Sequence, residues 1–377
     1  MSPSSTLALP PEQVVPTDET CAWLTPFVAP RWLRNGHAQT VVGNYLRRSG
    51  RVALPAEQLV VPVEEAHTLE QPDGSQVEVP ESSVLCLCHW QPERHKRLTV
   101  VLVHGLEGSA SSGYILGNTA RLWAGGSNVV RMNMRSCGDS DALSPTIYHS
   151  GRSDDVRAVV RALDALGLEH IALVGYSMGG NLVLRYAGEQ SQLSPAARSR
   201  VVRAVIGVSP LLDLSPSSDA LHLLSNQFYE RRFLRAMKRR LRLKAQLFPA
   251  LYGSLEEEGV YRRIRTMRDF DGEIVARYGG FKNANDYYEQ VRSSRFAAVL
   301  DRPTLILHAA DDPFIRTLPR TRAALLANPH VSYAETQHGG HCAFLAAPAC
   351  EDRSRWAEET VARWLAAKIE PGPGAAA

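Results

Sequence analysis

Apolar positions settle into a regular rhythm from about residue 98. Thr99–Val103 is a β-branched apolar run that stops at His104-Gly105, and Asn128–Met134, Ile171–Gly175, Val201–Val208, Thr304–His308 and Val331–Thr336 repeat the type. Between these runs the spacing changes. Tyr114–Ala124 and Met178–Gly188 read as helices. Ser153–Leu166 sets Val156, Val159, Val160 and Leu163 at helical intervals behind Ser153-Asp154-Asp155, a start that suits a helix N-terminus. Pro319–Ala327 reads as a helix between the last two strands, and Arg353–Ala367 as a closing helix with Trp356 and Trp364 near one face. Continuous apolar strands alternating with helices predict a mostly parallel central sheet with helices on both faces. The alternation breaks once. Residues 211–297 read as helical, with no obvious strand, between two core strands, which predicts an inserted helical lid over one edge of the sheet. The expected organisation is a loose arm over 1–20, a core over 21–210 and 298–369, the lid over 211–297 and a frayed, disordered tail over 370–377.

Composition narrows the class. A chain of 377 residues with 44% hydrophobic and 21% charged positions can bury a large core, and it is not a disordered, collagenous or coiled-coil sequence. Six cysteines, at positions 21, 86, 88, 137, 342 and 350, are too few for a disulfide scaffold, and no C-x-x-C is present. Cys86 and Cys88 sit two apart in an apolar run, facing one side of a strand as buried thiols rather than metal ligands. The start of the chain lacks a basic segment followed by a long apolar one, and no window approaches about 18 uninterrupted apolar residues. A secretory signal and a membrane-spanning helix are therefore not expected, and the expectation is a cytoplasmic protein.

Net charge is +3, too mild to imply nucleic acid, but it is unevenly placed. Residues 228–268 hold twelve Lys or Arg against four Glu. Within them Leu234, Met237, Leu241 and Phe248 follow helical spacing among Arg235, Lys238, Arg239, Arg240 and Arg242. One reading is an amphipathic helix with a solvated basic face; the other is contact with an anionic surface such as phospholipid.

The chemistry concentrates at strand ends. Gly175-Tyr176-Ser177-Met178-Gly179 is a G-x-S-x-G that follows the strand Ile171–Gly175 and opens a helix. Such a turn pushes the Ser177 hydroxyl into the open, at a helix N-terminus rich in free N–H groups. A serine hydroxyl attacks only when a base takes its proton. His338-Gly339-Gly340-His341 follows the strand Val331–Thr336, and the glycine pair favours His341 over His338 as that base. Asp311-Asp312-Pro313 follows Thr304–His308; the proline after Asp312 fixes its direction and favours it over Asp311 as the carboxylate that orients the histidine. After the first strand, His104-Gly105-Leu106-Glu107-Gly108 brings backbone close to this edge, so the N–H groups of Leu106 and Met178 are the expected oxyanion donors, with His104 a hydrogen-bonded turn residue. His37 and Gln39 read as part of an arm packed on the sheet edge together with Trp32, Leu33 and Val41. No G-K-[ST] loop and no G-x-G-x-x-G opening a helix occurs, so no phosphate loop and no dinucleotide is expected. Attack by an activated serine needs no metal or organic cofactor, and none is expected.

These residues give the chain a resemblance to α/β-hydrolases of the YheT-type group, AB hydrolase family four. It extends over roughly residues 22–365 and rests on several segments. They are Pro30-Arg31-Trp32-Leu33-Arg34-Asn35-Gly36-His37-Ala38-Gln39-Thr40, His104-Gly105-Leu106-Glu107-Gly108-Ser109, Tyr148-His149-Ser150-Gly151, the Ser177 turn, Gly280-Phe281-Lys282 with Asp286-Tyr287-Tyr288, Asp311-Asp312-Pro313-Phe314 and Gly339-Gly340-His341. The order Ser177, Asp312, His341 is also that of the α/β-hydrolase fold. One departure is Met134-Arg135-Ser136-Cys137-Gly138, where relatives tend to carry Arg-Gly after the strand. The resemblance implies a serine hydrolase of esterase or lipase-like type, cleaving small-molecule or lipid carboxylic esters through a Ser-His-Asp triad and an acyl-enzyme. An acyltransferase on the same triad, or a non-catalytic binding protein on the same fold, are the alternatives.

Overall fold

The computed structural model describes residues 13–14, 23–46, 54–70, 74–347 and 355–369. Apart from Gln13–Val14, the expected arm over 1–20 lies outside the described residues, as does the expected tail over 370–377.

The strands are β1 (Gln13–Val14), β2 (Glu57–Glu64), β3 (His67–Glu70), β4 (Gln76–Val79), β5 (Ser82–His89), β6 (Thr99–Val103), β7 (Asn128–Met132), β8 (Ile171–Tyr176), β9 (Val202–Val208), β10 (Thr304–Ala309) and β11 (Val331–Thr336). Nine of them form one sheet in the order β1-β11-β10-β9-β8-β6-β7-β5-β2, while β3 and β4 make a separate hairpin. The run from β11 to β7 is parallel throughout. β1 pairs antiparallel at one edge, and β5 and β2 pair antiparallel at the other.

The apolar runs explain the middle of the sheet. Every residue of β6 and β8 is buried. Successive side chains of a strand point to opposite faces, and here they divide between two cores: Val101 and Val103 enter one, Val100 and Leu102 the other. The helices that follow are α1 (Gly36–Tyr45), α2 (Gly113–Ala124), α3 (Ser153–Ala165), α4 (Met178–Ser191), α5 (Leu214–Leu221) and α6 (Gln227–Leu247). α3 and α4 cover the first face through Val156, Val159, Leu163 and Leu182. α2 and the closing helix Trp356–Lys368 cover the second through Ile115, Leu122, Trp356 and Trp364. Cys86 and Cys88 are buried free thiols on β5, as the spacing predicts.

Residues 211–297 are helical, with no strand among them. Beyond α5 and α6 they comprise short helical turns, a π-helical turn at Asp271–Ala276 and the helix Ala284–Val291. The segment joins β9 to β10, so it emerges at the carboxyl edge of the sheet and crosses back to the amino end of β10, which runs parallel to β9.

The loop after β7 departs from the expected strand, which ends at Met132 rather than Met134. Arg135 turns inward there and is 1% exposed. Its guanidinium grips Asp155 of α3 with Nε 2.8 Å from Oδ2 and Nη2 2.6 Å from Oδ1. The same side chain bonds Glu64 of β2 and Thr146. Burial pushes the Asp155 carboxyl up and the arginine opposes that push. A buried charge that loses its partner is costly, because its desolvation is no longer offset. Arg135→Ala is expected to lower unfolding stability by about 3–5 kcal/mol, measured by urea denaturation. The double variant Arg135→Met/Asp155→Leu is expected to lose less than Arg135→Ala, since it leaves no lone carboxylate at position 155.

Candidate active site

β8 ends at Tyr176 and α4 begins at Met178, so the chain reverses within one residue. Ser177 carries that reversal at φ 54°, ψ −117°. A non-glycine residue at positive φ is uncommon and strained, and it persists only where its surroundings enforce it. The enforcement is close packing. A Cβ on Gly175 would stand 2.1 Å from the carbonyl oxygen of Gly179, and one on Gly179 would stand 2.4 Å from those of Val103 and His104. The turn thus presses against the end of β6, and the Ser177 Oγ faces a cavity of about 510 Å³.

His341 reaches the same point from the loop after β11. Its Nε2 lies 2.9 Å from Ser177 Oγ, and its Nδ1 lies 2.8 Å from Asp312 Oδ2. Asp312, after β10, is 2% exposed, and its Oδ1 accepts from the N–H groups of Phe314 and Ile315. Burial opposes its ionisation, but His341 and these contacts outweigh burial and hold the carboxyl below its ordinary value. With Asp312 ionised, Nδ1–H donates to it, and Nε2 is left to accept from the serine hydroxyl. Burial also disfavours the imidazolium of His341; Cys342 and Asp312 oppose it, and the balance lies above the ordinary histidine value.

The structure therefore brings Ser177, His341 and Asp312 into one hydrogen-bonded line. The two competing residues fall elsewhere. His338 Nδ1 stands 3.4 Å from Asp311 Oδ2, while Asp311 Oδ1 accepts from the Gly340 N–H at 2.8 Å. His104 is fully buried, and its Nε2 accepts from Met134 N–H, so its Nδ1 carries the proton and donates to the Gly105 carbonyl. Burial pushes it down to about 4, which keeps it neutral.

Leu106 and Met178 both line the cavity beside Ser177. The amides on either side of Leu106 are occupied by tyrosine hydroxyls: Gly105 N–H donates to Tyr114 and Glu107 N–H to Tyr148, each at 2.9 Å. Among the described residues no acceptor pairs with the Leu106 or Met178 N–H. Glu107, at φ 54°, is held further by Arg240 of α6, whose Nε lies 3.0 Å from Oε1 and whose Nη1 lies 3.0 Å from Asp141 Oδ1.

The N-terminal segment corrects one expectation and adds two residues. Leu33 packs inward, but Trp32 is 72% exposed and Val41 is exposed with it, so the two do not pack on the sheet edge. The inward work of α1 is polar. Gln39 is fully buried and bonds both the N–H and the carbonyl of Leu345. Thr40 Oγ1 accepts from the His341 N–H at 2.8 Å. Gly340 takes a left-handed φ of 58°, and a Cβ there would stand 2.5 Å from the Gly36 carbonyl. Helix α1 and the His341 loop are thus in direct contact, across 301 residues of sequence between Thr40 and His341. The quoted segment at Tyr148–Gly151 also finds its partners. The His149 ring meets Phe281 and Tyr287 edge-on, and Ser150 N–H donates to Tyr287 Oη.

The sequence pattern of the α/β-hydrolase fold matches residues 99–348. The chain belongs to the α/β-hydrolase fold family. This α/β-hydrolase is 30% identical to the presumptive esterase YheT of Escherichia coli (strain K12), over 91% of this chain and 94% of that protein. It is 26% identical to the monoacylglycerol lipase of Saccharomyces cerevisiae over 71% of this chain and 58% of the lipase. It is 24% identical to the medium-chain fatty acid ethyl ester synthase/esterase 2 of the same yeast, over 71% of this chain and 61% of that enzyme. No helix among the described residues is long and apolar enough to cross a membrane, and no group of three metal-ligating side chains is found among them.

Thr40 touches no reacting atom and acts through the His341 backbone. Thr40→Val leaves that N–H without its acceptor, and kcat is expected to fall about 5- to 30-fold with KM near the wild-type value. Thr40→Ser keeps the hydroxyl and is expected to restore most of the rate. Steady-state kinetics on a small chromogenic ester check both.

Proposed function

We propose that the protein is a serine hydrolase of carboxylic esters, with Ser177 as nucleophile, His341 as general base and Asp312 as the carboxylate that holds the imidazole. The observation that carries this reading is the line from Asp312 Oδ2 through His341 to Ser177 Oγ, with contacts of 2.8 and 2.9 Å. A binding protein on the same fold has no need of three polar groups in that register. The esterase and lipase names among the relatives support the same class.

In the proposed reaction Ser177 Oγ attacks the ester carbonyl carbon as its proton passes to His341 Nε2. Negative charge gathers on the carbonyl oxygen, where the Leu106 and Met178 N–H groups and the N-terminus of α4 stabilise it. The tetrahedral intermediate collapses, the alcohol leaves with the proton from His341, and the acyl group stays on Ser177. Water then gives a proton to His341 as its oxygen attacks the acyl carbon. The second tetrahedral intermediate collapses with cleavage of the bond to Ser177 Oγ, which takes the proton back from His341, and the acid is released. Asp312 stays ionised throughout and stabilises the imidazolium of each step.

The helical segment 211–297 is proposed as the lid of this site. Leu214, Phe233, Met237 and Tyr288 from it line the cavity that Ser177 faces. The cavity has the size of a small-molecule site, and its apolar wall suits an acyl chain. A second reading is acyl transfer, in which an alcohol takes the place of water. The synthase/esterase name of one yeast relative favours keeping it. Product analysis with an added alcohol separates the two.

Ser177→Ala is expected to lower ester turnover at least about a thousandfold and to abolish covalent labelling by a fluorophosphonate, with an unchanged melting temperature. His341→Ala is expected to be as severe, with His338→Ala and Asp311→Asn far milder; labelling of Ser177→Ala at the wild-type level would remove the serine from the mechanism. The acid limb of the pH profile follows from His341. The base form is neutral, so turnover rises as pH climbs through its pKa. Because that pKa is raised, the limb of kcat/KM is expected above about pH 6.5. Asp312→Asn removes the charge that favours the imidazolium, and is expected to move the limb to lower pH as well as to lower the rate.

A further inference from the structure

The cations of the helical segment divide once the structure is known. Arg240 and Lys244 turn inward, Arg240 to Glu107 and Asp141, Lys244 to the carbonyls of Asp141 and Ser144. Lys238 donates to the Tyr261 carbonyl. The solvent-facing side chains of α6 include a stripe at intervals of three and four, Phe228, Arg231, Arg232, Arg235, Arg239 and Arg242, with Leu243, Gln246 and Leu247 exposed near its end. Phe228 is 61% exposed, and Leu224, one turn before it, is 85% exposed.

Helix α1 lies against the start of this stripe. Arg232 donates to Tyr45 Oη at 2.6 Å, and His37 meets Tyr229 at 3.2 Å. Tyr45 is itself 64% exposed. Val41, Tyr45, Phe228, Arg232 and Arg239 all line the cavity that reaches Ser177, so this face surrounds its mouth. It carries no exposed carboxylate. Residues 31–46 contain no Asp or Glu, and Glu230, the single one in 222–247, is buried against His222 and the Met267 N–H.

We propose that α1 and the first half of α6 form a docking face for an anionic lipid surface, which places the cavity mouth against the bilayer. The arginines match a layer of phosphate headgroups, and their long stems let the guanidinium groups stay at that level. The apolar side chains between them select lipid over other polyanions. Leu224, Phe228 and Tyr45 enter the boundary between headgroup and acyl chain, whereas on a nucleic acid backbone they would stay in water. The proposal rests on the ester-hydrolase reading for the use made of docking, not for docking itself, which is read without turnover.

The test is sedimentation of the full chain with vesicles. One set mixes phosphatidylglycerol with phosphatidylcholine, and the other is phosphatidylcholine alone. The wild type is expected to pellet with the anionic set at low salt, to lose at least about tenfold in binding near 0.5 M salt, and to bind the neutral set poorly. Leu224→Ser/Arg231→Gln/Arg235→Gln changes exposed positions outside the cavity wall. It is expected to bind anionic vesicles at least about tenfold more weakly while melting, and hydrolysing a small soluble ester, like the wild type. Arg200→Gln/Arg203→Gln removes exposed charge at the amino end of β9, on the opposite side of the sheet, and is expected to bind as the wild type does. Negligible pelleting with anionic vesicles at low salt, equal pelleting of the triple variant and the wild type, or binding to duplex DNA without binding to vesicles would each overturn the proposal. Vesicle binding by a chain that fails to hydrolyse esters would overturn the hydrolase reading and leave the docking face standing.

Discussion

Ser177 cannot relax. Its backbone sits at a positive φ because the turn between β8 and α4 is pressed between its own glycines and the end of β6, with no room for a gentler reversal. Relaxing it would mean separating two neighbouring strands of a sheet buried on both faces. That cost is spread over the two cores rather than borne by the serine. Everything else at the site is arranged around this fixed point. The serine oxygen is held at the carboxyl edge of the sheet, the helix N-terminus lies behind it, and the turn after β6 supplies the facing amides.

The partners of Ser177 are held by hydrogen bonds from several separate segments of the chain. Asp312 is fixed by two amides of its own turn. The His341 loop, by contrast, passes through left-handed conformations at Gly340 and Cys342, and its amides there are taken by Asp311 and Ser209. Thr40 of α1 takes hold of it within that bend, at His341, and Gln39 beyond it, at Leu345. On the facing wall, Tyr114 and Tyr148 occupy the amides that flank Leu106, so the free N–H is selected by what its neighbours are given to bind. Arg240 then joins α6 to this turn through Glu107, so the helix that borders the cavity mouth is also bonded to the proposed oxyanion site.

Much of this was legible in the sequence because the chemistry lies at the ends of buried parallel strands, and such strands announce themselves as unbroken apolar runs. Ser177, Asp312 and His341 each follow one, as does Leu106. The antiparallel strands β2 and β5 gave a weaker signal. β2 lies at the sheet edge with most of its residues partly or fully exposed, so neither continuity nor clean alternation marked it. Thr40 could not be found by pattern at all. Its contact with His341 joins a helix near the start to a loop near the end, and a threonine in a helix has no local feature that reveals a distant amide. The charges of α6 were legible in number but not in direction. Arg240 and Lys244 face inward because carbonyls and carboxylates wait beneath them, and that depends on loops from elsewhere in the chain. Burial brings Lys244 down to about 8, a reading of its surroundings that composition could not provide.

The clasp on His341 bears on how far the molecule can be pared down. The pattern shared across the fold family begins at residue 99, and all three proposed catalytic side chains lie within it. The residues that steady the histidine, Gln39 and Thr40, do not. A chain shortened to the shared span would keep every group needed to write the reaction and would lose the brace that fixes one of them. The Leu345 backbone, now bonded to Gln39, would be left without its partner as well. The brace on the proposed base thus lies outside the span that the family pattern matches, and it comes from the opposite end of the polypeptide.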